Sequence, residues 1–251
     1  MRPLAIVASL AGFAVLLSPF GARAQTATTS AQVGAVLELY TSQACSSCPA
    51  ADAILGRLAK RDDLIAITLP VDYWDFFGWR DTLARPEFTE RQKAYAKVLG
   101  DGMVSTPQAV INGLTEVNGS NEDKIERAIA TTSAAFAASR VPVRLSIEAD
   151  RLVVDIDPAP SGAVAREATV WLAAIASSVE VPITKGQNSG KTIVYSNVVR
   201  GLMPIGTWTG KAMAVQLDRH SFMHGSADRC AVFVQQGRGG PIIGAALLPR
   251  L

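Results

Sequence analysis

Cys45-Ser46-Ser47-Cys48 stands where a strand pattern gives way to a helix pattern. Val36-Leu37-Glu38-Leu39-Tyr40 is β-prone and apolar. From Pro49 to Arg61 the apolar residues Ile54, Leu55 and Leu58 share one helical face. A cysteine pair at a strand-to-helix junction needs a βαβ framework to hold it and reads as a thiol-disulfide site. Pro49 suits the first turn, where backbone N–H groups have no intrahelical partner to lose. Asp52 is expected in that first turn, with Lys60 and Arg61 in the last, as the helix dipole favours.

The rest of the first half supports such a framework. Leu64 to Val71 is a nearly continuous apolar strand, the pattern of one buried on both faces. Pro86 to Leu99 is expected to be a helix, with Phe88, Tyr95 and Leu99 at helical spacing and Gly100 ending it. Gln108–Ile111, the Asn112-Gly113 turn and Leu114–Val117 read as a hairpin. A last helix begins near Asn121, with Ser120 as candidate cap and Ile125, Ala128, Ile129 and Phe136 facing inward. The order β-α-β-α-β-β-α implies a mixed sheet with helices on both faces.

From about residue 140 the texture changes. Short β-prone runs (Val143–Ile147, Leu152–Ile156, Ala168–Ile175, Thr192–Val199, Met213–Leu217, Ala231–Gln235, Ile242–Leu248) alternate with turn residues. This suggests an added all-β, sandwich-like domain. The expected division is 1–24 signal peptide, 25–34 flexible leader, 35–139 α/β domain and 140–251 β-rich domain.

The expected signal peptide has Arg2 as its positive region, an apolar run from Leu4 to Leu17 and a small-residue cleavage site at Ala22-Arg23-Ala24. The protein is therefore expected to be periplasmic or secreted, where disulfides persist. The 251 residues include 24 basic and 22 acidic side chains. The signal segment carries Arg2 and Arg23 and no acid, so the remainder is balanced in charge. No basic run remains, and nucleic acid is a poor partner.

The chemistry expected of the cysteine pair follows from its place. Orphan N–H groups and the positive dipole end at a helix N-terminus stabilise a thiolate. Cys45 is assigned as nucleophile and Cys48 as resolving thiol, which releases the partner from a mixed disulfide. The alternative is a structural disulfide in a binding or assembly factor. A third reading is copper handling by Cys45, Cys48 and a histidine. Thr106-Pro107, just before the hairpin strand, is the second element; by itself it would be a trans loop proline. Tyr73, Trp74, Phe76, Phe77 and Trp79 are five of 16 aromatics. They follow the second strand and could wall a substrate groove or pack on themselves. His220 and His224 lack the further ligands of a metal site, and Met203, Met213 and Met223 would add to one only if they converged. Cys230 opens an apolar strand and is expected to be a buried thiol, with pairing between chains as the alternative.

The segment Leu39-Tyr40-Thr41 through Cys45–Pro49 resembles the glutaredoxin and thioredoxin active-site turn, and Thr106-Pro107 resembles their cis-proline element. More closely, the chain resembles a bacterial family of exported thioredoxin-like proteins, domain of unknown function 1223. The strings that carry this are Glu38–Gln43, Val71–Asp75, Gly78-Trp79, Arg91-Gln92, Thr106–Gln108, Asn112-Gly113, Gly119-Ser120, Asn197–Arg200 and Gly206–Trp208. The resemblance implies a thioredoxin-like fold with an added β-domain. The leading expectation, from the cysteine pair itself, is a thiol-disulfide oxidoreductase that needs no metal or organic cofactor, acts on protein or small-molecule thiol partners, and uses its β-domain to dock a substrate or a membrane redox partner. The chain departs from thioredoxins in the Ser46-Ser47 pair and in Leu39, which occupies the position of their buried acid. Glu38, the neighbouring acid, is the candidate proton acceptor, with a strand-end salt bridge as the alternative.

Overall fold

The computed structural model describes residues 33–160 and 166–249. The expected signal peptide, and the leader as far as residue 32, lie outside the described residues. In the first half the expected order is observed: β1 (Ala35–Thr41), α1 (Cys48–Leu58), β2 (Leu64–Pro70), α2 (Pro86–Leu99), β3 (Gln108–Ile111), β4 (Thr115–Asn118) and α3 (Glu122–Ser139). β1 pairs parallel with β2 and antiparallel with β3, which pairs with β4. Asn112 and Gly113 both take positive φ, as a two-residue hairpin turn of this hand demands.

Alternation along β1 separates two layers. Leu37 and Leu39 join Ile54, Leu55 and Leu58 of α1 and Ile125 and Ile129 of α3 on one face. Val36 and Tyr40 join Phe88 and Tyr95 of α2 on the other. The helix ends differ from expectation. α1 stops at Leu58, so its last-turn base is Arg57, and Lys60 and Arg61 follow it in a turn. Asn121, not Ser120, caps α3 by accepting from the Lys124 N–H at 2.9 Å.

The second half contributes β5 (Val143–Glu148), β6 (Arg151–Ile156), β7 (Ala168–Pro182), β8 (Thr192–Trp208), β9 (Met213–Asp218), β10 (Arg229–Gln236) and β11 (Ile242–Leu248). They do not form a separate sandwich. Four of them extend the first sheet, in the order β11-β10-β7-β8-β2-β1-β3-β4. Only β5, β6 and β9 make a second sheet. It covers the outer strands through Leu145, Val154, Val170, Val232 and Trp208. The junction is β8 against β2, where Val198 pairs parallel with Thr68. Asn197, in a left-handed conformation (φ 48°), donates to the Ala66 carbonyl at 2.9 Å and accepts from Arg229 at 3.0 Å. The left-handed region suits asparagine better than most residues.

Candidate active site

Cys45 and Cys48 form a disulfide in the turn between β1 and α1. Ser47 is the N-cap residue, and Pro49 lies in the first turn. The Cys48 N–H donates back to the Cys45 carbonyl at 3.2 Å, and the Ser47 hydroxyl lies 3.5 Å from Cys45 Sγ. With Cys45 oxidised, only that hydroxyl can donate. Ser46 and Ser47 are exposed, but Cys45 is 1% exposed and Cys48 fully buried. The first cysteine is thus beneath the turn that presents it.

Two segments brace this turn. Gln43 donates its N–H to Asp81 at 2.7 Å, and its side chain accepts from Trp79 Nε1 at 2.8 Å. From the β7–β8 connection, Asn188 Nδ2 donates to the carbonyls of Gln43 (2.9 Å) and Cys45 (2.8 Å). Lys191 Nζ donates to Asn188 Oδ1 at 2.9 Å. The second half therefore reaches the disulfide directly. Asn188 lies outside every string that suggested the site, and nothing local in its sequence marks this long-range role.

The Thr106–Pro107 peptide bond is cis. Its loop is held by Gln92, whose Nε2 donates to the Ser105 carbonyl and to Gln108 Oε1 at 2.8 and 2.9 Å. Pro107 lies close to α1 across Gly119. A β-carbon on Gly119 would sit 3.2 Å from Pro107 Cβ, 3.4 Å from Ala51 Cβ and 2.6 Å from Leu39 Cδ1, so a side chain there would have to displace Leu39. Next to it, Ser120 Oγ donates to the Ser47 carbonyl at 3.2 Å. Thr106 Oγ1 is buried without a hydrogen bond.

Glu38 is not beneath the disulfide. It shares the α2 face of β1 with Val36 and Tyr40, opposite Leu39 and α1. There it receives two hydrogen bonds from Arg91 (2.7 and 2.8 Å), one from Tyr40 (2.9 Å) and one from Tyr95 (2.8 Å). The one-residue offset from Leu39 changes the face. The salt-bridge alternative is the observed one, and Glu38 is removed as proton acceptor.

The acid near the disulfide is Asp52. It lies one turn beyond Cys48 rather than in the first turn, and it is buried. Neither carboxylate oxygen has a hydrogen-bond partner. Burial pushes its pKa up to about 8; the nearby Thr41 hydroxyl lowers it and Asp81 raises it. The Thr41 hydroxyl is near enough to the carboxylate to favour its charged form, though the two do not meet the geometry of a formed hydrogen bond. One sequence signal could have found Asp52. Positions 48, 51, 52, 55 and 58 form an apolar helical stripe in which Asp52 is the sole acid.

The aromatic run divides. Tyr73 and Trp74 pack on the α2-side core, and Trp79 is tied to Gln43. Phe76 and Phe77 project outward, 91% and 57% exposed. The five therefore do not act as one wall. His220 and His224 are exposed between β9 and β10. Met203, Met213 and Met223 converge on the second-half core, as apolar packing. Among the described residues no three His, Cys, Asp or Glu side chains cluster as metal ligands. Cys230 is a free thiol buried in that core, and burial pushes its pKa up to about 12.

Residues 36–235 match a family described as protein of unknown function, DUF1223. The chain is similar to a crystal structure of a protein from Agrobacterium tumefaciens, at 32% identity and a TM-score of 0.76. That match covers 87% of this chain and 95% of the other. It is also similar in fold to HBP35 of Porphyromonas gingivalis, at 12% identity and a TM-score of 0.59, over 87% of this chain and 76% of that one. No curated protein matches it.

Proposed function

We propose that this chain, which belongs to the DUF1223 family, is an exported thiol-disulfide oxidoreductase with a thioredoxin-like core. The observation that carries the reading is the Cys45–Cys48 disulfide at the N-terminus of α1. The positive end of the α1 dipole there stabilises a Cys45 thiolate in the reduced protein. Cys45 is the nucleophile toward a protein or small-molecule thiol partner, and Cys48 resolves the mixed disulfide. Phe76 and Phe77 offer an exposed apolar contact for a protein partner. The apolar run from Leu4 to Leu17, with Arg2 before it, supports export.

One observation favours a second reading. Cys45 is 1% exposed, so a partner reaches it only after the turn opens. A structural disulfide in a binding factor needs no such opening.

Equilibration with glutathione, using Cys230→Ala to remove the third thiol, separates the two. A potential in the roughly −120 to −270 mV span of catalytic dithiols supports turnover. A value below about −300 mV marks a structural bond and overturns the redox reading.

A further inference from the structure

Asp52 follows Cys48 by four residues in α1, a separation that puts two side chains on one face with β-carbons about 5–6 Å apart. The acid has unpartnered company from two other elements. The Thr41 hydroxyl of β1 and the Tyr195 hydroxyl of β8 are buried without a hydrogen bond, as are both Asp52 oxygens. Asp52 and Asp81 both raise the pKa of the Tyr195 hydroxyl, so these side chains lie near one another in one buried polar cluster. Unpaired buried polar groups are costly, and a helix packed against a strand has no structural need for them. Asp81 is buried at the edge of this cluster, where its carboxylate accepts from the N–H groups of Gln43, Leu83 and Ala84. It lines an open-sided cavity of about 370 Å³ with Asp72, Asp75, Arg80 and Thr82.

We propose that Asp52 is the proton donor to Cys48 as the disulfide opens. This rests on the redox reading of the cysteine pair. An incoming thiolate attacks Cys45 Sγ and forms a new S–S bond there. The Cys45–Cys48 bond breaks, and its electron pair goes to Cys48 Sγ. Asp52 gives its carboxylic proton to that sulfur and becomes a carboxylate. In the reverse step the carboxylate takes the proton back. Cys48 thiolate then attacks Cys45 Sγ and expels the partner thiolate. No other oxidant or reductant is needed.

The charges facing this polar cluster fit the assignment. Burial, then the Thr41 hydroxyl and Asp81, set Asp52 to titrate at about 8, so it carries a proton at neutral pH. Asp81 titrates at about 6, raised by burial and Asp75 and lowered by the N–H groups of Gln43, Leu83 and Ala84. Arg200 and Arg85 are the cations on the Asp81 side.

The test follows reduction of the oxidised protein by dithiothreitol from about pH 6 to 10, with rates expressed per reductant thiolate. For the wild type the rate should fall as pH rises through about 8. Asp52→Asn should be slower at neutral pH by at least about tenfold and should lack the inflection. Thr41→Val keeps the side-chain shape and removes the hydroxyl that lowers the Asp52 pKa, so its inflection should move to higher pH. It also carries the test if Asp52→Asn does not fold. A flat wild-type profile, or a Thr41→Val profile equal to the wild type's, overturns the proposal. So does a folded Asp52→Asn protein with the wild-type profile. Failure of the redox reading shows separately, in the glutathione equilibrium, which does not depend on how fast the proton moves.

Discussion

Asn188 donates a 2.8 Å hydrogen bond to the Cys45 carbonyl from 143 positions away in the chain. With its second bond, to the Gln43 carbonyl, it binds the connection between β7 and β8 to the cysteine turn. Asn188→Ala strands the Gln43 carbonyl in a buried site and leaves the Cys45 carbonyl with the Cys48 N–H alone. Each unpaired group costs about 1–3 kcal/mol. The expected loss is about 1–3 kcal/mol in urea unfolding of the oxidised protein, with faster reduction of the disulfide by small thiols. A loss under about 0.5 kcal/mol, the scatter of ordinary surface changes, would remove Asn188 as a brace.

Burial of Asp52 makes stability depend on pH. Its carboxyl keeps a proton in the folded state up to about pH 8. The unfolded chain releases that proton near pH 3.9. The favourable contribution is full below the unfolded value and is lost as pH rises through the folded one. Stability therefore falls across that window, by at most about 1.4 kcal/mol per pH unit for one group. Asp81 acts in the same sense, but only up to about pH 6. In urea titrations, Asp52→Asn should flatten the decline between about pH 6 and 8 and leave part of it below.

The Glu38–Arg91 pair is predicted to be structural. Both side chains are buried, and Tyr40, Tyr95 and Gln235 complete the network. Arg91→Met strands a buried carboxylate and should cost about 3–5 kcal/mol. Glu38→Gln combined with Arg91→Met should recover a large part of that loss. The reduction rate of Glu38→Gln should keep the wild-type pH profile, because Glu38 faces α2 rather than α1. A changed profile would return Glu38 to the site.

Cys230 should resist iodoacetamide in the native protein at neutral pH. Its thiol is buried and held up to about 12, so little thiolate is present or accessible. Modification should appear only in denaturant. Labelling of the folded chain at the rate of a free thiol would contradict the burial.

Much of the first half was legible because its signals are local. The 3.6-residue stripes of α1 and α2, the apolar run of β2 and the Asn112-Gly113 turn each declare themselves within a few positions. What escaped depends on distant partners. The strands after residue 140 read as a separate sandwich because alternation shows which residues are buried, not which sheet they join. Asp52 read as a dipole-compensating surface acid because its neighbours in sequence do not reveal that β8 covers it; Gly56, on the same helix, lies close enough that a β-carbon would be 3.3 Å from Ser196 Oγ. Ser120 read as a cap because serine is an ordinary cap residue; instead its hydroxyl reaches Ser47.

The seam between β2 and β8 has a consequence for how this protein can be divided. Residues 35–139 hold both cysteines, the cis-proline loop and three helices, and they invite expression alone. Cut there, β2 would lose Val198 as its neighbour, the Asn197 donor to Ala66 and the Ser196 carbonyl that accepts from Thr68. A seven-residue apolar strand would then become a bare sheet edge, a template for pairing with a second copy. The shortened chain should self-associate more than the whole one, and the β8 ribbon is in this sense a built-in guard against aggregation.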